Sequence, residues 1–179
     1  VYHTTYSHTL QLARAVEAGV KSVAGVEAVF RRAPEFPHVE KELEAGDGYA
    51  TKIWKDQKDI QPCTLDDLRE ADGLLLGSPT RYGNMTAAMK ALIDSTASLW
   101  LSGSMEGKPA GVFTATASTH GGQETTCVTM MIPLIALHYP GLAPVPFVFP
   151  SGVDEVSNSW QFVAVDDRSV ERADIQMEY

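Results

Sequence analysis

The residues with the most chemistry in this chain stand in three short runs rich in hydroxyls, glycine and amide. Each run lies between an apolar stretch and a helical pattern. The first is Thr4-Thr5-Tyr6-Ser7-His8-Thr9. It precedes Leu12, Val16, Val20 and Val23, spaced as on one face of a helix. Ser7 or Thr9 suits the N-cap. A helix start offers unpaired N–H groups and the positive end of the dipole, so this run can hold an anion such as a phosphate without Lys or Arg. A plain capped helix start is the competing reading. The second run, Pro79-Thr80-Arg81-Tyr82-Gly83-Asn84, follows the apolar Leu74-Leu75-Leu76 and leads into Met85, Met89, Leu92 and Ile93. Pro79 fixes the backbone, Gly83 permits close approach, and Asn84 supplies a hydrogen-bonding amide. The third run is Thr116-Ala117-Ser118-Thr119-His120-Gly121-Gly122, ahead of Thr125, Val128, Met131, Ile132 and Ile135.

Other chemistries lack their signatures. No G-x-x-x-x-G-K-[ST] is present, so the first run is not a nucleoside-triphosphate loop, and no G-x-G-x-x-G supports a dinucleotide fold. Gly103-Ser104-Met105-Glu106-Gly107 does not match the hydrolase G-x-S-x-G. His3 and His8 lack the partners of a metal site, so no metal is expected. Lys and Arg number 14 against 23 Asp and Glu, a net charge of −9 that argues against nucleic acid and anionic membranes. No long apolar segment or leader pattern is read. Cys63 and Cys127 stand far apart in sequence, which suggests reduced thiols and a cytoplasmic setting.

The elements that must position these runs alternate. Residues 1–3 read as the tail of a strand whose first residues are absent, and both ends of the chain are expected to be clipped. Residues 26–32 alternate as a second strand, ended by Pro34 and Pro37. Residues 35–61 read as an irregular, charged insertion that forms a solvated face, a lid or a contact element, with Trp54 as a buried anchor or a partner contact. Thr64 suits the N-cap of a short helix with Asp66 and Asp67 in its first turn. The apolar run at 74–76 is the third strand. The helix after it is expected to reach about Ala97, with a loop over 98–103 in which Trp100 is core or a wall over a flat ligand. Residues 110–117, small and apolar, form a fourth strand buried on both faces. Pro133 is expected to kink or end the helix after the third run. Residues 142–148 make a fifth strand, with Pro144 and Pro146 marking an edge, and 166–173 open a last helix. The expectation is one α/β domain over 1–179: a three-layer sandwich around a five-stranded parallel sheet in the order 2-1-3-4-5. That order makes strands 1, 3 and 4 neighbours, so the three runs meet at the carboxyl ends of the strands, beside the switch point.

Together the runs suit a planar ligand carrying one phosphate, such as flavin mononucleotide (FMN). The first run takes the phosphate, and the other two take the ring. Three segments carry a resemblance: Pro79-Thr80-Arg81-Tyr82-Gly83-Asn84-Met85, Leu99-Trp100-Leu101-Ser102-Gly103 and Gly121-Gly122-Gln123-Glu124-Thr125-Thr126. With them, residues 1–149 resemble the WrbA family of flavodoxin-like NAD(P)H:quinone oxidoreductases. The resemblance implies noncovalent FMN, NADH or NADPH as donor, two-electron reduction of quinones and a homotetramer. It also implies that Thr4 to Thr9, Pro79 to Asn84 and Thr116 to Gly122 bind FMN, that Tyr6 and Trp100 line the nicotinamide and quinone space, and that His138 reaches the flavin of a neighbouring subunit. Ser7 stands where many members have Gly.

The implied mechanism is ping-pong hydride transfer through flavin N5. A proton must also reach the quinone oxygen, and Tyr6, His120 and His138 are the candidates. Arg81 has two readings, a catalytic one and one in which its side chain only ties loops together. The alternative function is a flavodoxin-like carrier passing single electrons to protein partners, which an acidic surface suits when the partner is basic. A weaker alternative is a cofactor-free interaction module.

Overall fold

The computed structural model describes residues 1–138 and 160–165. The central strands are β1 (Leu74–Pro79) and β2 (Ala110–Ala115), parallel, with Leu74 opposite Ala110 and Pro79 opposite Ala115. Alternation assigns their side chains to two faces. Leu74, Leu76 and Val112 join one buried cluster with Met89, Leu92 and Met130. Leu75 and Phe113 join another with Tyr2 and Leu12. An apolar layer therefore covers each side of the sheet, and a strand such as β2, buried along its whole length, follows from that.

The first two expected strands reach the sheet as single-residue bridges. Tyr2 pairs in parallel with Gly77 of β1 on one side and with Arg32 on the other, and Arg32 pairs with Pro62. The backbone continues this ladder: His3 N–H donates to Gly77 O at 2.8 Å, and Ala33 N–H to Tyr2 O at 2.7 Å. Over 26–30 the chain makes no bridge, and Arg31 O accepts from Tyr2 N–H at 3.1 Å, so the expected strand contracts to the bridge at Arg32.

The expectation of a wholly parallel sheet is corrected on the far side. There β2 pairs with β3 (Trp160–Val165), which runs antiparallel, Ala110 opposite Val165. The expected fifth strand at 142–148 and the last helix at 166–173 lie outside the described residues.

Helix α1 (His8–Lys21) buries Thr9, Leu12 and Ala13 against the sheet. Residues 35–61 correct the expectation of an irregular insertion: they hold α2 (Pro37–Ala45) and α3 (Tyr49–Asp56). Pro37 occupies the first turn of α2, where its missing N–H costs nothing. The connection between the two is tight, since a Cβ on Gly46 would fall 2.6 Å from Thr51 Oγ1. Of the two readings of Trp54, the buried anchor is the one observed, with the Arg32 guanidinium 4.5 Å from its ring centroid. Helix α4 (Leu65–Glu70) starts at Thr64 with a reciprocal capping box. Asp67 N–H donates to Thr64 Oγ1, and Thr64 N–H donates to Asp67 Oδ2.

After β1 come α5 (Ala87–Asp94) and α6 (Ala97–Leu101), the latter where a loop was expected. Helix α7 (Gln123–His138) runs through Pro133 rather than ending there. The lost backbone bond is offset by burying Met130, Met131, Leu134 and Leu137 in the core.

Neither Cys63 nor Cys127 is in a disulfide, and both are buried. Burial pushes Cys63 up to about 11 and Cys127 up to about 12. Burial also raises Tyr2, against the pull of Arg14 and Arg32. All three groups are neutral in the folded chain and ionise first in the unfolded one. The stability they contribute is fully present below the ordinary thiol value of 9.0 and is lost as pH rises towards 11 and 12. Urea midpoints recorded across the alkaline range are expected to fall in that window. A thiol reagent at neutral pH is expected to label neither cysteine until the protein is unfolded.

Candidate functional site

The strand segment at Tyr2, β1 and β2 are adjacent and parallel, so the runs that follow them leave the sheet from one end. These are loop 1 (residues 4–9), loop 2 (79–86) and loop 3 (116–122). Hydrogen bonds and backbone packing join them. Arg81 Nη2 donates to Thr5 Oγ1 at 2.9 Å, tying loop 2 to loop 1, and Arg81 Nη1 donates to Thr80 O. The Thr80 and Thr126 hydroxyls are bonded at 2.8 Å, tying loop 2 to the start of α7. A Cβ on Gly122 would sit 3.2 Å from Gly83 Cα, so loops 2 and 3 pack backbone to backbone.

Each loop holds one non-glycine residue in the left-handed region: Ser7 at φ 72°, Tyr82 at 54° and His120 at 53°. No other described non-glycine residue has a positive φ. Such strain costs on the order of 1–3 kcal/mol per site and persists where the surroundings dictate it. Among the described residues this strain is confined to the three loops at one end of the sheet.

Loop 1 presents donors of the kind that can hold an anion. Gln11 N–H donates to Ser7 O as the first bond of α1, so the amides of His8, Thr9 and Leu10 point out of the helix start without partners inside it. The first turn carries no acidic residue. Thr9 Oγ1 is buried and has no partner among the described residues. Ser7 is the N-cap, but its side chain makes no capping bond. Thr4 and Thr9 are buried and Tyr6 is 53% exposed.

Loop 2 turns sharply. Arg81 and Asn84 exchange backbone bonds at 2.7 and 3.0 Å around Tyr82 and Gly83. Positive φ at both central residues is the pattern of a type I′ turn. Ser78 Oγ accepts from Thr86 N–H at 3.0 Å, and Thr86 caps α5 by accepting from Met89 N–H. Asn84 spends its Oδ1 on Met85 N–H. Tyr82 projects from the tip, fully exposed.

In loop 3, Thr116 donates to Ser118 O at 2.8 Å, and His120 Nδ1 meets Glu124 Oε1 at 3.0 Å. The Glu124 backbone N–H, followed by the His120 ring, holds the Glu124 carboxyl below the usual range. Ala117, Ser118, Thr119 and His120 are exposed. Trp100 stands on α6 and is 53% exposed, so it is not the core residue that was the default expectation. His138 closes α7, and its side chain lies outside the description.

Sequence reasoning missed Thr125, Thr126 and Thr129 as parts of the site. Thr126 bonds Thr80, and Thr129 reaches Gly83 O at 3.5 Å. The signal was the cluster of three threonines within seven residues of the end of the third loop, Thr125, Thr126 and Thr129. It also missed Tyr49, whose ring stacks on Tyr6.

A cavity of about 90 Å³ lies behind loop 1, between Thr4, Thr5, Arg32 and Trp54. It is too small for a fused ring system and does not lie between the three loops.

The Arg81 contacts give a testable magnitude. Arg81→Ala removes the bond between loops 1 and 2, worth about 1 kcal/mol. The dissociation constant of the bound ligand is expected to rise by about fivefold, with the melting temperature nearly unchanged. Ligand titration followed by fluorescence checks it.

Comparison with known proteins places this geometry in context. The sequence family described as NADPH-dependent FMN reductase matches residues 3–149. The NAD(P)H dehydrogenase (quinone) of Solidesulfovibrio magneticus is 39% identical over 160 residues, covering 88% of this chain and 76% of the relative. The protein of the same name from Syntrophobacter fumaroxidans is 41% identical over 159 residues, with coverages of 88% and 76%. Quinone-oxidoreductase QR2 of Triphysaria versicolor is 39% identical over 155 residues, covering 86% of this chain and 70% of its own.

Proposed function

The chain belongs to the NADPH-dependent FMN reductase family, and on that premise we propose that it is an FMN-dependent NAD(P)H:quinone oxidoreductase of the WrbA kind. The observation that carries this reading is the set of three adjacent loops, each with one strained left-handed residue, presenting donors at one end of the sheet. The names of its relatives, NAD(P)H dehydrogenase (quinone) and quinone-oxidoreductase, support the substrate pair.

The residues present fit FMN. The unpaired amides at the start of α1 and the partnerless, buried Thr9 hydroxyl suit its phosphate. Thr4, Thr5, Tyr6, Ser7 and His8 complete that loop. Pro79, Thr80, Arg81, Tyr82, Gly83 and Asn84 would hold one side of the ring system, and Thr116 to Gly122 the other. Held by these residues, FMN would supply the redox chemistry, two-electron hydride exchange at its N5, with NAD(P)H as donor and a quinone as acceptor in ping-pong order.

The protein positions and screens. Arg81 locks loop 2 to loop 1. Thr126 and Thr80 lock loop 2 to α7. Tyr6 and Trp100, both half-exposed aromatics, line the space for nicotinamide and quinone. Tyr6, His120 and His138 are the residues assigned to proton delivery at the quinone oxygen. Of these, Tyr6 and His120 present exposed rings on loops 1 and 3.

The remaining parts of the reading rest on lighter support. The bridges Arg32–Tyr2–Gly77 and the β1–β2 ladder support the order 2-1-3-4 for the first four strands of a flavodoxin-like sheet. The outer edge of β2 is taken by β3, so a fifth strand at 142–148 in the order 2-1-3-4-5 is not carried forward. One domain over 1–179, a homotetramer and a cytoplasmic setting complete the proposal. Cys63 and Cys127, buried and outside any disulfide, support the last of these. Among the described residues, no helix is long and apolar enough to cross a membrane, and no group of residues that could hold a metal ion is found.

The test is spectroscopic. Purified protein loaded with FMN should be yellow, bleach with NADH or NADPH, and recover its colour with benzoquinone. Failure of the nicotinamide to bleach it, with reduction by a one-electron donor, would mark an electron carrier instead. Failure to take up FMN would refute the cofactor assignment.

A further inference from the structure

The proposed function leaves α3 without a role, yet α3 is fixed to the sheet beside loop 1. Its inner face, Thr51, Ile53 and Trp54, is buried. Gln57, just past its end, accepts from Tyr2 OH at 2.9 Å. The Arg32 guanidinium covers Trp54 from the sheet side. These contacts hold the first residue of the helix, Tyr49, in a defined place. There the Tyr49 ring lies 6.3 Å from the ring of Tyr6, with 13° between their planes. This is the offset, near-parallel arrangement that aromatic pairs prefer. Both rings are about half exposed, Tyr6 at 53% and Tyr49 at 57%. A pair held this firmly and still open to solvent has apolar ring surface to offer a third planar group.

We propose that Tyr49 is a specificity-determining residue: with Tyr6 it forms an aromatic wall at the edge of the loop 1 site that receives the planar ring of the quinone substrate and favours fused-ring quinones over single-ring ones. The inference rests on the reading of the three loops as a quinone site. It also assigns the 35–61 insertion a task, which is to deliver an aromatic side chain to loop 1 on a rigid helix. A naphthoquinone, with its second ring, has more surface to lay on such a wall than a benzoquinone. A stacked aromatic contact of this kind is worth roughly five- to tenfold in binding.

The test uses FMN-loaded wild type, Tyr49→Ala and Tyr49→Phe. It reads kcat and KM for naphthoquinone and benzoquinone, and separately the equilibrium binding of naphthoquinone to the oxidised protein. Tyr49→Ala is expected to raise the naphthoquinone KM and Kd about five- to tenfold, with kcat unchanged and benzoquinone altered less than about twofold. Tyr49→Phe is expected to behave as wild type. Equal effects on both quinones, no effect on either, or loss of FMN from Tyr49→Ala would overturn the proposal. If wild type binds naphthoquinone but does not reduce it, and Tyr49→Ala still weakens that binding, the oxidoreductase reading fails while the aromatic wall stands.

Discussion

A Gly83→Val protein is expected to purify colourless and to stay so when FMN is added. Gly83 sits in the loop 2 turn at φ 78°, a backbone state that a β-branched residue adopts only as an outlier. The first side-chain atom would fall 2.6 Å from Thr125 Oγ1. Thr125 can swing away, but only by giving up its bond to Gly122 O at 3.0 Å. Loop 3 is then loosened as well, because Gly122 packs on Gly83. The substitution therefore disturbs the junction of the two loops assigned to the ring.

We expect the affinity for FMN to fall by at least tenfold. A strain of about 2 kcal/mol should also lower the melting temperature by roughly 4–8 °C. The Thr125 contact is the source of that stability cost. Gly83→Ala should lie between wild type and Gly83→Val. The ratio of visible flavin absorbance to protein absorbance, read beside a melting curve, separates the two effects. A yellow Gly83→Val protein would displace the ring from loop 2.

The largest effect on the fold is expected at Gly77. It lies in the middle of β1, opposite Phe113 of β2. A Cβ there would stand 2.0 Å from Phe113 Cε2 and 2.2 Å from Cζ, inside the ring's own volume. The ring cannot step aside, since Phe113 is buried in the cluster with Tyr2, Leu12 and Ala13. The backbone cannot yield either. Gly77 N–H donates to Val1 O at 2.9 Å, and Gly77 O accepts from His3 N–H at 2.8 Å.

Overpacking usually costs about 1–3 kcal/mol, and this site is closed on every side, so Gly77→Ala should cost about 3 kcal/mol or more. Chemical denaturation should show a lowered midpoint, and much of the protein should be insoluble. Adding Phe113→Leu should restore part of the loss, although that change is destabilising alone. Such a non-additive pair identifies the contact itself as the cause. Equal stability of Gly77→Ala and wild type would mean that the packing described for β1 is wrong.

What could be read from the sequence follows from where the physical signal was local. Strands β1 and β2 are short apolar runs with glycine at or near their ends, and no neighbour changes that assignment. Thr64 with Asp67 is a cap whose partners lie three residues apart, so it was legible too. The three loops were visible because hydroxyls and glycines gather at strand ends.

The signal failed where a partner decides. Residues 26–32 alternate like a strand, but only Arg32 finds bridges, to Tyr2 and Pro62. Residues 35–61 hid two helices, because Val39, Leu43, Ile53 and Trp54 are few apolar positions among many charges. Tertiary burial of Trp54 stabilises α3, and no periodicity announces that. Pro133 argued locally for a break, yet the core contacts of Met131, Leu134 and Leu137 outweigh it. The antiparallel pairing of β3 depends on a strand some fifty residues earlier in the chain, beyond any local pattern.

The three left-handed residues have a consequence for how such a chain can change. Ser7, Tyr82 and His120 are each held in a shape that only the surrounding fold makes tolerable. A protein that spends several kcal/mol in its loops must draw them from a well-packed interior, and the fit of Gly77 under Phe113 is where such a surplus arises. Drift in the core and drift in the loops are therefore linked. A core change that is harmless in a relaxed protein removes here the margin that keeps three remote turns in their binding shape. Loss of ligand affinity can thus be inherited from substitutions that touch no part of the site.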